Sequence, residues 1–240
     1  MRTNIRKQPR SLRYAQAASA IKKTQVFGVD DTVAHIKKSA TAKFKENVDL
    51  AIRLGIDPRK SDQNVRGTTT HPHGTGKKVK RIAVLAKGDH AKEAEQAGAD
   101  VVGADDLIAK IQGGFKDFDV VLATEDMAPQ IGKIGKTLGP RTPNKRNGTV
   151  TNSIGQAIKE IKGATRTEYR ADKGGVVQMS LGRVDLSEDQ LKENLHAALN
   201  AVIKAKPPSA KGRYFVPVTL SSTMGPGIRI DPTVAYKFGS

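Results

Sequence analysis

The sequence predicts two domains, an α+β domain formed by both chain ends and a Rossmann-like α/β domain inserted into it. Between residues 82 and 161, short apolar runs alternate with helical patterns, which is typical of a parallel sheet with helices on both faces. On either side of that stretch the strand signals alternate polar and apolar residues, which is typical of antiparallel sheets. A chain of 240 residues is long enough for two cores.

The predicted domain boundaries lie at glycine-bearing segments. We place the α+β domain at residues 1–74 and 164–240, and the inserted α/β domain at residues 75–163. An insertion is tolerated where the ends of a domain lie close together. The two crossings then lie side by side, which favours a hinge between the domains.

The charge indicates a polyanionic partner and the composition excludes several classes of site. The chain has 41 Lys and Arg against 24 Asp and Glu, a formal net charge of +17 with a pI near 10.0. It has no Cys, which excludes disulfides, thiolate zinc sites and cysteine nucleophiles. Aromatic residues make up only 4%, which argues against an aromatic-rich stacking surface. No membrane is expected as a partner, because the apolar runs are far shorter than the roughly 20 residues of a spanning helix.

The first 29 residues contain basic side chains but no Asp or Glu. This composition favours an RNA-binding arm or a solvated tail, and it also occurs in organellar targeting peptides. No uninterrupted apolar run follows, so a secretory signal is not expected. The basic residues are Arg2, Arg6, Lys7, Arg10, Arg13, Lys22 and Lys23.

The N-terminal part of the chain predicts a helix and then a strand. Asp30 or Asp31 can cap a short helix with apolar residues at helical spacing. Residues 44–53 alternate with a period of two, so one face of the strand is apolar except for Glu46. The polar stretch 57–80 contains one short β-branched run at 68–70.

The middle of the chain predicts the α/β repeat, with strands at 82–86, 101–102 and 120–123. Helices are expected at 91–96, at 105–111, from 127, and at 153–161. Residues 138–149, rich in Gly, Pro and Asn, form a loop between the last two helices.

The C-terminal part predicts a hairpin, a helix and a last strand. Strands at 165–170 and 176–181 flank the turn-rich residues 172–175. Ser187 and Gln190 form a capping box, which begins a helix that Pro207 ends. The last strand runs from 214 to 220.

No sequence motif identifies a catalytic residue. The string Gly74-Thr75-Gly76-Lys77 lacks the first glycine and the final Ser or Thr of a phosphate loop. His71 and His73 favour a surface turn over a metal site, because no third ligand is spaced to join them. The adjacent carboxylates Glu125 and Asp126 favour a helix cap. No dinucleotide-binding glycine motif opens the α/β domain, so no cofactor, metal or catalytic residue is expected.

The most suggestive string for binding is 221–227, which combines hydroxyls, a thioether and two glycines directly after a strand. Such a surface lets a flat partner approach the backbone closely, although an ordinary turn explains the composition equally well. Phe44 would lie in the same domain. If exposed, its ring could pack on a ribose or base, as in the recognition of structured RNA, and otherwise it belongs to the core.

Several strings together resemble one family. They are AKF at 42–44, LGIDPRKSDQNVRG at 54–67, PHGTGK at 72–77, LGPR at 138–141, GTV at 148–150 and SSTMGPGIRID at 221–231. The chain resembles the bacterial family of large ribosomal subunit protein one, the stalk proteins beside the tRNA exit site. The similarity runs from about residue 26 to 233. This chain is slightly shorter than the family at 142–147, so no contact is carried over from that loop.

The resemblance implies a monomeric, non-enzymatic protein of the cytoplasmic ribosome, with an organellar ribosome less favoured. Its partners would be large-subunit ribosomal RNA at the stalk, exit-site tRNA whose release it assists, and its own mRNA, whose translation it represses. The RNA-binding residues carried over by position are Lys43, Phe44, Asn47, Asp49, Asp172, Lys173, Thr219, Ser221, Thr223, Met224 and Gly225.

Two other functions fit parts of the pattern. A nucleotide-dependent enzyme would use the α/β domain, and saturable binding of a mononucleotide or dinucleotide would support it. A nonspecific basic RNA chaperone would bind with an affinity that follows charge and salt but not RNA shape.

Overall fold

The computed structural model describes residues 11–19, 21, 25–76, 81–145 and 148–239. The chain divides into two compact units, a terminal unit of residues 1–65 and 170–240 and an inserted unit of residues 66–169. The sequence placed the crossings at 74/75 and 163/164. The observed crossings differ from these predicted positions because the strands at 66–70 and 166–170 pair with each other and not with the sheet of the terminal unit.

Three sequence interpretations fall partly outside the described residues. These are the basic segment 1–29, the loop 142–147, and the phosphate-loop string with its Lys77.

The secondary-structure elements alternate between the two units in chain order. The terminal unit begins with α1 (Leu12–Ser19), β1 (Val26–Phe27), α2 (Val29–Ser39) and β2 (Asn47–Leu54). The inserted unit contains β3 (Arg66–Thr70), β4 (Ile82–Leu85), α3 (Asp89–Gln96), β5 (Val101–Gly103), α4 (Asp105–Gln112), β6 (Val120–Ala123), α5 (Ala128–Leu138), α6 (Ile154–Lys162) and β7 (Arg166–Arg170). The terminal unit ends with β8 (Val176–Arg183), α7 (Glu188–Lys204), β9 (Phe215–Ser222), β10 (Ile228–Ile230) and α8 (Pro232–Gly239).

The inserted unit is built on a three-stranded parallel sheet in the order β5-β4-β6. Alternate strand residues pack into two separate apolar cores, one on each face. One core contains Leu85 with Ile111 and Ile134 from α4 and α5, and the other contains Val84 with Ile158 from α6. The parallel sheet with helices on both faces is therefore confirmed.

The terminal unit is built on a five-stranded sheet in the order β1-β10-β9-β2-β8. The strand β2 lies beside the edge strand β8 and pairs antiparallel with both β8 and β9. Its residues alternate between buried and more exposed, and the buried ones face a core shared with α2 and α7. Leu50 and Leu220 from the sheet and Leu195 from α7 are at most 1% exposed there. The mixture of α/β and α+β architecture is therefore as expected.

The predicted strand at 44–53 begins three residues later than expected, at Asn47. Before it, the backbone N–H of Ala42 donates to Oε1 of Glu46 at 2.9 Å, and this contact holds residues 42–46 in a turn. Phe44 consequently lies outside the strand and outside the core, with 54% of its surface exposed.

The predicted hairpin between 165–170 and 176–181 is wrong. The strand β7 pairs with β3, in a two-stranded ribbon, while β8 pairs with β2. The Ala171–Val177 bridge and a hydrogen bond from the Asp172 N–H to the Val176 carbonyl at 3.0 Å still join the two segments. The 172–175 turn reverses the chain as expected, but its two arms join different sheets.

The capping box of α7 is confirmed. Ser187 Oγ accepts from the Gln190 N–H at 3.2 Å, and Gln190 Oε1 accepts from the Ser187 N–H at 3.0 Å. The helix α8, which the sequence did not indicate, packs on α7. Of the helices in the described ranges, none has the length and apolar character needed to span a bilayer.

Candidate nucleic-acid interface

The face of the five-stranded sheet opposite the α2 and α7 core carries polar side chains. We call this the polar sheet face, and it is made of residues at alternate positions on four strands. They are Asn47, Asp49, Ala51 and Arg53 on β2, Gln178 and Ser180 on β8, Thr219 and Ser221 on β9, and Arg229 on β10.

Strand register places these side chains in rows across the sheet. Asp49 lies directly opposite Ser180 on one side and Ser221 on the other. Thr219 lies between Ala51 and the exposed Arg229. Because paired residues share a face, the register gathers hydroxyls, a carboxylate and a guanidinium on one surface. These groups can bind ribose hydroxyls, base edges and phosphate.

One end of this face is formed by two segments that meet beside the start of β2. We call it the Phe44–Met224 rim, made of residues 43–44 and 223–225. Met224 is 48% exposed, close to the 54% of Phe44. Thr223 is tied to the strand, since its N–H donates to the Asn47 carbonyl at 3.0 Å and the Asn47 N–H donates to Thr223 Oγ1 at 2.9 Å. The rim thus presents a ring and a thioether on a backbone fixed by the sheet.

The carboxylate of Glu46 joins the two segments of the rim. Its side chain is only 2% exposed, and its Oε2 accepts from the Met224 N–H at 2.9 Å while Oε1 accepts from the Ala42 N–H. Arg13 of α1 approaches Oε1 to 4.0 Å. Burial raises the pKa of Glu46, but these backbone hydrogen bonds and the nearby arginine outweigh it and hold the pKa below its ordinary value.

Sequence reasoning missed this role of Glu46, although a signal was present. A carboxylate on an otherwise apolar strand face must find hydrogen-bond donors when it is buried. Arg53 and Arg229 of the polar sheet face were missed as well, because their placement depends on strand pairing.

Gly225 is required by a close approach within the rim. A Cβ at this position would lie 2.3 Å from Ser222 Oγ, and Ser222 is buried. The Gly225 N–H also donates to the Ser222 carbonyl at 3.1 Å. Any larger residue would therefore force either the buried Ser222 side chain or the loop that carries Met224 to move.

Asp172 and Lys173 lie at the opposite end of β2 from the rim. The turn that carries them contacts the end of the strand, where the Leu54 N–H donates to the Gly175 carbonyl at 2.8 Å. The eight residues of β2 span about 24 Å, so the candidate residues form one elongated surface and not one cluster.

The two residues of this turn have different roles. Asp172 Oδ1 accepts from the N–H groups of Gly174 and Val176, each at 2.8 Å, so its carboxylate stabilises the turn. Lys173 is exposed at the tip and available to phosphate. We expect Asp172→Ala to lower the free energy of unfolding by about 1 kcal/mol, because it removes both acceptor contacts.

Lys173→Ala should leave the unfolding free energy nearly unchanged. It should reduce the slope of log RNA affinity against log salt by the amount expected for about one lost phosphate contact. Urea unfolding and a salt titration of both variants measure these effects. Asp172→Asn, which keeps Oδ1, is the matched control. An unfolding loss in Lys173→Ala but not in Asp172→Ala would reverse the assignment.

The sequence motifs considered for catalysis have structural partners. The expected turn is present, since the Gly74 N–H donates to the His71 carbonyl at 3.2 Å, but His71 itself is buried and not at the surface. Its backbone N–H donates to the Thr165 carbonyl at 2.8 Å. Glu125 pairs with Lys145 at 2.9 Å, and the hydrogen bond and positive charge of that lysine lower the pKa of Glu125. Within the described ranges, no three His, Asp or Glu side chains gather as a metal site would require.

Comparison with known proteins defines the class of this chain. Residues 36–226 match the model of the ribosomal protein L1p/L10e family. Large ribosomal subunit protein uL1 of Cutibacterium acnes (strain DSM 16379 / KPA171202) is 48% identical over 228 residues, which cover 94% of this chain and 97% of that protein. With its basic charge and mixed α/β fold, the chain is therefore a structural, non-enzymatic protein of the ribosome. It belongs to the ribosomal protein L1p/L10e family, as the resemblance indicated, and the enzyme alternative is wrong.

Proposed function

We propose that the protein is a constituent of the large ribosomal subunit and binds structured large-subunit ribosomal RNA through its terminal unit. The observation that carries this proposal is the Phe44–Met224 rim at one end of the polar sheet face. Two large apolar side chains stand about half exposed there, on segments joined by the buried Glu46. A half-exposed ring on a fixed backbone is suited to packing against a ribose or base.

The geometry divides binding into attraction and selection. The net charge of +17 attracts phosphate without regard to sequence. The rim and the rows of hydroxyls then select an RNA whose shape follows the roughly 24 Å of β2. Arg53, Arg229 and Lys173 are exposed along this surface and can neutralise phosphates on either side of it.

The family supports a finer proposal for the place and role of this interaction. We assign the protein as a monomer to the stalk beside exit-site tRNA, where it assists release of deacylated tRNA. The same surface would bind the protein's own mRNA and repress its translation, provided that the messenger folds like the ribosomal site. A protein that bound RNA only through attraction to phosphate would instead act as a nonspecific RNA chaperone.

A salt titration tests the proposal. Binding is measured to stalk RNA, to the leader of the protein's own messenger, and to an equally long structured RNA of unrelated shape. We expect a preference of about 10³-fold or more for the stalk RNA that persists at high salt. The messenger leader should compete for the same surface. Equal affinities that fall together with salt would favour the chaperone and contradict the proposed function.

A further inference from the structure

A second concave site lies in the terminal unit, between the end of α7, the start of β9 and α8. It is a pocket of about 290 Å³. Its walls include three aromatic residues, Tyr214, Phe215 and Tyr236. It is also lined by three exposed basic residues, Lys206, Arg213 and Lys237. Among the described residues that line it, none bears a carboxylate.

The aromatic walls form one packed group. Tyr214 and Phe215 stack at 5.5 Å between centroids, and Tyr236 meets Phe215 edge to face at 5.5 Å. Tyr214 is buried and its hydroxyl donates to the Val202 carbonyl at 3.1 Å, so it forms the floor. Tyr236 is 37% exposed, so part of its ring is open to a ligand. The chain has only 10 Phe and Tyr residues, and this pocket uses three of them.

The walls are fixed by the backbone around them. The Gly55 N–H donates to the Tyr214 carbonyl at 2.8 Å, and a Cβ on Gly55 would lie 2.2 Å from the Arg213 carbonyl oxygen. The Lys206 ammonium lies 5.7 Å from the centre of the Tyr214 ring. The pocket therefore combines a preformed aromatic wall, which lowers the cost of ordering a ligand, with cations that attract phosphate.

We propose that this pocket binds one unstacked nucleotide of a single-stranded RNA segment. The base would pack on the exposed part of Tyr236, and the flanking phosphates would meet Lys206, Arg213 and Lys237. The volume of about 290 Å³ lies just below the roughly 300–1,000 Å³ of small-ligand sites, so it suits one base and not several. An acidic peptide would be attracted by the same cations but would gain little from the ring.

The pocket shares no lining residue with the polar sheet face or the Phe44–Met224 rim. Tyr236 lies on α8, which packs on α7, and α7 shares the core on the other side of the sheet from the polar sheet face. The two sites can therefore be tested independently in the full chain.

The experiment measures fluorescence anisotropy of labelled tetra-adenylate with the full chain carrying Phe44→Ala and Met224→Ala. In this background Tyr236→Leu should weaken binding by about tenfold or more, and Tyr236→Phe should not. Lys237→Gln should reduce the slope of log affinity against log salt by about 0.7, as expected for one lost single-strand phosphate contact. Lys92→Gln, on α3 of the inserted unit, is the matched control.

Each outcome decides for or against the pocket. Equal binding by the parent and Tyr236→Leu, or equal slopes for Lys237→Gln and Lys92→Gln, would show charge attraction only and overturn it. Competition by a tetraglutamate peptide at equal concentration would identify an acidic peptide site instead. Stalk RNA binding by the otherwise unaltered chain should not respond to Tyr236→Leu, so failure of this site and failure of the proposed function are distinguishable.

Discussion

Replacing Phe44 or Met224 by alanine is expected to weaken binding to stalk RNA by about 1–3 kcal/mol for each substitution. Both side chains are about half exposed, so they leave no buried cavity when truncated. Stability should therefore change by no more than about 0.5 kcal/mol. The loss should persist at high salt, because neither side chain carries charge.

The measurement is the dissociation constant for stalk RNA at low and high salt, with urea unfolding of each variant. Val234→Ala is the matched control, since Val234 is a similarly exposed apolar residue on α8. Unchanged affinity in both rim variants would remove the rim from the RNA-binding surface.

Replacing Glu46 by glutamine is expected to lower the free energy of unfolding by about 1–3 kcal/mol and to weaken RNA binding as well. Glutamine has one acceptor oxygen, whereas the Glu46 carboxylate accepts from both the Ala42 and Met224 N–H groups. One backbone donor therefore loses its partner, and the two segments of the rim are no longer joined. Urea unfolding and stalk RNA affinity report the two effects. Glu95→Gln, at an exposed position on α3, controls for loss of charge.

The contribution of Glu46 should also depend on pH. Its pKa is lower in the folded protein than the ordinary value of 4.5, so its stabilisation is fully present above that pH. The stabilisation is lost as the pH falls below 4.5 through the folded pKa. The difference in unfolding free energy between the unaltered protein and Glu46→Gln should therefore shrink in acid. A difference that grows in acid would contradict the assigned pKa direction.

Local patterns were sufficient for much of the fold. The parallel sheet follows from short apolar strands alternating with helices, and the capping box of α7 follows from Ser187 and Gln190 alone. The strand β2 was recognisable from its period of two. In each case the residues that determine the element are close in sequence, so no long-range information is needed.

Local patterns could not predict which strands pair with each other. The β3–β7 ribbon joins segments about a hundred residues apart, and a hairpin across 172–175 satisfied the same local signals. The site shows the same division. Phe44 and Met224 were proposed from residue type and from the family resemblance, whereas the placement of Arg229 depends on how β9 and β10 align. The placement of Glu46 depends on hydrogen bonds from Ala42 and from the distant Met224.

The β3–β7 ribbon has a consequence for the order of folding. The pairing of β2 with β8 must close across the whole of residues 66–169, and the entropic cost of a flexible loop rises with its length. Once the ribbon has formed, the two ends of that loop are already together, and Val65 and Ala171 beside it are joined by a 2.8 Å hydrogen bond. The folded inserted unit then holds the chain segments that lead from β2 and into β8 close together, as a short turn would. Early folding of residues 66–169 should therefore accelerate assembly of the proposed RNA-binding surface.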